Sequence, residues 1–122
     1  MTRAWYVLAL SGAFLIAGCG SAMPVPATQM TASKADIRAA EEVGAPNIPQ
    51  AALHLKMARD QITDADALIK DSENEKASLV LDRADADAQL AIELTHAANL
   101  KAKAADAMKK VQELKKKAAE GD

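Results

Sequence analysis

The segment from Glu75 to Ala119 contains neither glycine nor proline, and this uninterrupted stretch restricts the available folds more than any other feature. It consists mainly of alanine, leucine, lysine, glutamate and aspartate, a composition typical of helices. In one helix, these residues would form a rod of roughly 65 to 70 Å, at about 1.5 Å per residue. Because strand signals are absent elsewhere as well, we predict an all-α protein.

Two further helices are predicted before this rod. The first is short and runs from about Ser33, a candidate N-cap, to Val43, with Gly44 placed to end it. The second starts near Pro49, where a missing amide donor costs little. Its apolar residues are separated alternately by four and three positions and form one heptad-like stripe: Ala51, Leu55, Ala58, Ile62, Ala65 and Ile69.

The third helix is predicted to open at a capping box formed by Ser72 and Glu75. Its first part is expected to pack back on the second helix as an antiparallel hairpin through Leu79, Val80, Leu81, Ala84, Ala88, Ala91 and Leu94. Its second part extends beyond the end of the second helix and carries a further apolar seam: Ala97, Leu100, Ala104, Ala107, Val111, Leu114 and Ala118. The prediction is therefore a short N-terminal helix and a hairpin whose last helix extends as a coiled-coil rod.

The uncovered seam at Ala104, Val111 and Leu114 is the predicted association surface. Small side chains let helices approach closely but bury little area, so self-association or another partner would stabilise the rod. The alternative is that a weakly hydrophobic stripe of alanines among lysines frays in solution. A homo-oligomer and a frayed monomer are both open at this point.

Lysines are concentrated near the end of the rod. Five of them define a candidate contact with an anionic surface such as lipid headgroups, lipopolysaccharide or peptidoglycan carboxylates: Lys109, Lys110, Lys115, Lys116 and Lys117. The alternative interpretation is a solvated helix face, favourably placed near the helix C-terminus.

The N-terminal segment has the layout of a cleaved secretory signal. Arg3 precedes an apolar run of about a dozen residues, which is shorter than a membrane span of about 20. The sequence Leu15-Ile16-Ala17-Gly18-Cys19 resembles the lipobox of bacterial lipoproteins, in which the cysteine is diacylated and the signal removed. Cys19 is the only cysteine and has no disulfide partner within the chain. The resemblance implies that Cys19 is the lipid site, and Gly20 after it implies the outer membrane.

These features divide the chain into three parts. Residues 1–18 are the predicted signal peptide and residues 32–122 the helical domain. Between them, residues 19–31 contain the lipidated cysteine and a flexible tether that includes Pro24 and Pro26.

Composition argues against nucleic-acid and carbohydrate recognition. Trp5, Tyr6 and Phe14 are the only aromatic residues, and all three lie in the predicted signal, so the mature chain lacks stacking platforms. The full chain has 15 basic and 17 acidic residues, and loss of Arg3 with the signal makes the balance about −3. No nucleic-acid partner is expected.

Candidate catalytic and metal-binding groups are sparse. His54 and His96 lie on different predicted helices, without a nearby cysteine or an obvious serine nucleophile. Glu93 and His96 have the Glu-x-x-His spacing of di-iron bundles, which require a second such motif and two further carboxylates. Two groups of aspartates are interpreted as solvated helix faces: Asp60, Asp64, Asp66, Asp82, Asp85 and Asp87. We expect no enzymatic activity, no cofactor and no metal.

Three segments of the body together resemble a family of bacterial envelope lipoproteins: Ala39–Ala45, Ala51–Arg59 and Leu81–Ala88. This is the domain-of-unknown-function family 4398, with a short helix, a proline-bearing turn and a helical hairpin, and the similarity covers roughly residues 32–98. The resemblance implies no reaction. Some relatives carry an OmpA-like domain that binds peptidoglycan, and none is expected in the sequence up to Asp122.

These observations predict a non-catalytic outer-membrane lipoprotein, facing the periplasm, with a structural or interaction role in the cell envelope. The membrane is contacted through the N-terminal lipid, and the candidate partners are peptidoglycan, an envelope protein or a second copy. An alternative is a tetratricopeptide-like adaptor that docks onto a larger envelope complex. That alternative is secondary because solenoids normally need about three repeats.

Overall fold

A computed structural model describes residues 23–121. Within them are three α-helices and one short 3₁₀ helix: α1 Ala27–Glu42, the 3₁₀ turn Ala45–Asn47, α2 Pro49–Lys70 and α3 Asn74–Glu120. No strand occurs among the described residues, and the all-α prediction is confirmed. None of the helices in this part of the chain is both long enough and apolar enough to cross a bilayer. The predicted signal and Cys19 lie outside the described residues.

The first helix begins earlier than predicted. The N–H of Met30 donates to the C=O of Pro26 at 3.0 Å, so α1 starts directly after Pro26 rather than at Ser33. The last residues of the predicted flexible tether are therefore helical. Ser33 is not a cap: it is 2% exposed inside the helix, and its Oγ donates to the C=O of Leu81 at 3.3 Å.

The predicted break between the first two helices is confirmed. Gly44 has a φ of +95°, a left-handed conformation that glycine adopts without steric cost. The N–H groups of Val43 and Gly44 donate to the C=O groups of Ala39 and Glu41 at 3.1 and 3.0 Å, which ends α1. Pro49 is the first residue of α2, where its missing N–H leaves no helical hydrogen bond unmade.

The predicted capping box at Ser72 is wrong. Ser72 has a φ of +63°, and no side chain caps the N-terminus of α3. Instead, the N–H groups of Ser72 and Glu73 donate to the C=O groups of Ile69 and Leu68 at 3.0 and 2.8 Å. This is the Schellman pattern that ends a helix, so Ser72 closes α2 and does not open α3.

The core between the three helices consists mainly of alanine. Its buried apolar residues are Ile37, Ala40, Ala45, Ala51, Leu55, Ala58, Ala65, Ala77, Leu81, Ala84, Ala88 and Ala91. The small side chains allow close helix packing, but each removes little apolar area from water. The predicted α2 stripe faces this core. The predicted hairpin face of α3 does so as well, except for Leu79, which is 57% exposed.

The N-terminal end of the described chain lies beside the α2–α3 turn. Along α1, Gln29 contacts Ser78 and Asp36 contacts Gln89, so α1 runs parallel to α3 and antiparallel to α2. The Nδ2 of Asn74 donates to the C=O of Met23 at 2.7 Å. The C-terminal end of α3 consequently points away from both the turn and the incoming chain.

Candidate interaction surface on the last helix

The C-terminal part of α3 extends past the end of the hairpin. Residues 99–120, which we call the overhang, are all exposed and are about 33 Å long at about 1.5 Å per residue. The predicted association residues lie here: Val111 is 50% and Leu114 66% exposed, and Ala104 is exposed as well. Val111 is seven positions after Ala104 and three before Leu114, so the three residues share one face of the helix.

The apolar stripe of the overhang lies on a different face of α3 from the hairpin core. Ala84, Ala88 and Ala91 face the core, and the same alternation of four and three residues continues through position 95 to Ala98. Leu100 and the rest of the stripe are offset from that series by two residues. At about 100° per residue, the offset places the stripe roughly 160° around the helix. A helix that packed on the stripe would not collide with α2.

The same spacing, followed back toward the hairpin, reaches further exposed residues. Leu79 and Leu90 are 57% and 42% exposed. We call the whole series the outer stripe: Leu79, Arg83, Ala86, Leu90, Glu93, Ala97, Leu100, Ala104, Ala107, Val111, Leu114 and Ala118. Every member is exposed, and all except Arg83 and Glu93 are apolar. The sequence predicts Leu79 on the hairpin face and leaves Leu90 unassigned. The heptad register of the overhang aligns both with the stripe, but only the packing of α1 and α2 shows that this face of α3 is left exposed.

Within the overhang, lysines lie along both edges of the outer stripe. Lys101 and Lys115 follow stripe positions by one residue, and Lys103, Lys110 and Lys117 precede them by one. The five lysines predicted as an anionic-surface contact do not form one patch. Two of them lie on the far side of the helix and pair within it, Lys109 with Asp106 at 3.8 Å and Lys116 with Glu120 at 3.7 Å.

The two ends of the molecule carry opposite charge. Residues 23–98 contain seven basic and 13 acidic residues, a net charge of −6. The overhang contains seven lysines and three acidic residues, a net charge of +4. Because an exposed helix of one sign attracts a surface of the other, the overhang is suited to an acidic partner surface.

Asp87 joins the hairpin helices through polar contacts. Nδ1 of His54 lies 2.8 Å from Oδ1 of Asp87, and Nε2 of Gln61 donates to its Oδ2 at 2.8 Å. Because both carboxyl oxygens of Asp87 contact side chains of α2, Asp87 fixes the register of α2 against α3. The other histidine, His96, is exposed just before the overhang. No group of three metal-ligating side chains occurs within residues 23–121.

Of the three α3 aspartates interpreted as a solvated face, Asp82 is exposed, but Asp85 and Asp87 are half-buried. Besides Asp87, Asp82 accepts a hydrogen bond from Nε2 of Gln29 at 2.8 Å, and Asp85 accepts one from Nε2 of Gln89 at 3.1 Å. Asp85 lies beside Asp36 of α1, and Asp87 lies against His54 and Gln61 of α2, so both are partly covered by neighbouring helices. The α2 aspartates are exposed, as predicted: Asp60, Asp64 and Asp66.

The carboxyl groups of Asp36 and Asp85 face each other between α1 and α3. A hydrogen bond with Asp36 raises the pKa of Asp85 above its ordinary value, and burial and repulsion by Asp36 and Asp82 act in the same direction. Gln89 opposes the shift by donating a hydrogen bond. A carboxyl with a raised folded pKa binds its proton more tightly in the folded protein. The contribution of Asp85 to the stability of the folded protein is therefore fully present below pH 3.8, its pKa in the unfolded chain. This contribution is lost as the pH rises through the pKa of Asp85 in the folded protein.

Asp85→Asn is expected to raise the melting temperature at neutral pH, because it removes the repulsion from Asp36. The gain should shrink as the pH is lowered toward 3.8, where Asp85 is protonated in the unaltered protein as well. Thermal unfolding followed by far-ultraviolet circular dichroism over this range measures the difference. Asp64→Asn, at an exposed α2 position, serves as the control. A gain of the same size at every pH would contradict the explanation that Asp85 is repelled by Asp36.

A comparison with family models relates the whole helical body to known sequences. The model described as "Domain of unknown function (DUF4398)" matches residues 28–120, which include α1, the hairpin and the overhang. No curated protein and no solved structure matches the chain. The match extends beyond residues 32–98, the region of the resemblance noted above, at both ends. Because it covers most of the sequence, the chain belongs to the DUF4398 family.

Proposed function

We propose that the protein is a non-catalytic outer-membrane lipoprotein whose helical body faces the periplasm and binds another macromolecule of the cell envelope through α3. The observation that carries this proposal is the overhang, whose apolar stripe has no covering element among the described residues. Isolated helices are marginally stable in water, and most helical stability in proteins comes from packing an apolar face. Exposed Leu100, Val111 and Leu114 would supply that packing once a partner covers them.

Cys19 is the proposed attachment point to the membrane. Its support is the lipobox-like sequence that ends at this residue. The hydrogen bond between Asn74 and Met23 keeps the incoming chain at the turn end of the hairpin. With acyl chains on Cys19, the turn would be the end of a single copy nearest the membrane, and the tip of its overhang would lie about 70 Å away along α3.

Photo-crosslinking in cells tests the interaction role. A photoreactive phenylalanine derivative at position 114 of the full chain is expected to yield a higher-mass adduct in the envelope fraction, because Leu114 lies on the outer stripe. The same derivative at position 116 is the matched control, since Lys116 is also exposed but lies on the opposite side of the helix. Equal adduct yields at the two positions, or no adduct at either, would refute the proposed interaction surface.

A further inference from the structure

We propose that the partner of the outer stripe is a second copy of this chain, packed antiparallel so that each overhang lies along the hairpin section of the other copy. The inference deepens the interaction role proposed above and does not depend on lipid attachment. It is carried by two independent features: the order of large and small residues along the stripe, and the opposite charges of the two ends of the molecule.

The stripe is self-complementary in the antiparallel direction. In one heptad register, large side chains face small ones in four layers: Leu79 opposite the partner's Ala118, Ala86 opposite the partner's Val111, Leu90 opposite the partner's Ala107, and Ala97 opposite the partner's Leu100. Alternation of large and small residues allows two helices to interdigitate at close range. Each layer occurs twice in the dimer, as the two-fold symmetry of a homodimer requires.

The two charged stripe residues occupy the remaining layers. Arg83 would face the partner's Leu114, and Glu93 would face the partner's Ala104, next to the partner's Lys103. Both side chains are exposed in the single copy. Long side chains within a helix pair can pack their apolar stems in the interface and extend their charged ends to water at its edge. These two layers therefore need not leave an unpaired charge buried.

Charge selects the antiparallel arrangement. A parallel pair would bring overhang against overhang, with lysines on both edges of both stripes and a charge of +4 on each. The antiparallel pair brings each overhang against a body of charge −6 and places Lys110 and Lys117 on the same edge as the partner's Glu75 and Asp82. Like charges across a helix pair are destabilising, whereas opposite ones set partner orientation.

The alternative occupant, an anionic membrane surface, fits less well. The stripe continues from the overhang onto the hairpin section, where Glu75, Asp82 and Glu93 would face the headgroups. Alanine also contributes little apolar area to membrane insertion, which scales with the area buried. A second copy accounts for the whole length of the stripe.

Disulfide formation between two co-expressed full-length chains tests the register. One chain carries Leu79→Cys and the other, with a different tag, carries Ala118→Cys. The expected result is a mixed dimer under mild oxidation, at least about tenfold more abundant than with Lys116→Cys in place of Ala118→Cys, because position 116 lies on the opposite side of the helix. Positions 79 and 118 are about 58 Å apart along α3, so a disulfide between the two chains at these positions requires them to run antiparallel.

The outcomes separate this inference from the proposed function. Cys19 is present in every chain, so the oxidised unaltered protein gives the background. Links of Leu79→Cys to itself and of Ala118→Cys to itself would overturn the antiparallel arrangement in favour of a parallel one. Equal yields with positions 116 and 118, or no mixed dimer, would overturn the homodimer. If position 114 then still captured a different protein or a lipid in cells, the interaction role would stand with another partner.

Discussion

Replacing Cys19 with serine is expected to move the protein from the outer-membrane fraction to the soluble or inner-membrane fraction. The proposed anchor is a diacylated thiol, and each buried methylene of its acyl chains contributes about 0.8 kcal/mol. Two acyl chains hold a protein stably at a membrane, whereas serine has no thiol to acylate. We therefore expect the Cys19→Ser variant to be absent from the outer-membrane fraction rather than only reduced in it.

Fractionation of whole cells, combined with metabolic labelling by radioactive palmitate, measures this effect. The unaltered chain should be labelled and sediment with the outer membrane, and the Cys19→Ser variant should lose both properties. Ser21→Ala, two residues after the proposed lipid site, is the matched control and should behave like the unaltered chain. Retention of Cys19→Ser in the outer membrane would refute lipid anchoring at this residue.

Leu81→Ala is expected to cost about 2–5 kcal/mol of unfolding free energy, the usual range for a leucine removed from a closed core. Leu81 is fully buried, and its C=O accepts the hydrogen bond from Ser33 on α1. The effect should be severe here because Leu81 and Leu55 are the largest fully buried apolar side chains in a core made mainly of alanine. For a domain of this size, such a loss approaches the whole stability.

Urea unfolding at low protein concentration measures the loss. Leu79→Ala supplies a matched control, since it removes the same atoms two residues earlier from a side chain that is 57% exposed. The control should change the free energy of unfolding by a few tenths of a kcal/mol, the range of substitutions away from the core. Equal losses for the two variants would mean that the core lies elsewhere on α3.

The parts of the fold with strong local signals were predictable from sequence. Gly44 and Pro49 mark the break between α1 and α2 because each restricts the backbone in a specific way. The early start of α1 was not predictable, because this helix contacts α3 partly through Gln29 and Ser33, and polar residues give no apolar period. Ser72 was misassigned for a related reason: it adopts the left-handed conformation that glycine usually marks in a sequence.

The overhang was also predictable, because the seam at Val111 and Leu114 repeats without interruption to the end of the helix. Its continuation to Leu79 and Leu90 was not, since sequence periodicity does not say which face of α3 the second helix covers. Only the packing of α2 and α1 shows that these leucines are left outside. The lysines illustrate the same limit, because a run such as Lys115 to Lys117 encircles a helix rather than forming a patch.

The hydrogen bond between Asn74 and Met23 has a consequence for how a pair of these molecules would be tethered. In an antiparallel dimer the two incoming chains would enter at opposite ends, about 70 Å apart. If both were lipidated, a single bilayer would hold the dimer flat by two separate points. After one point detached, the other would keep it close to the bilayer, so reattachment would be rapid. Transfer of the protein between lipid vesicles should accordingly slow down as its concentration rises and dimers form.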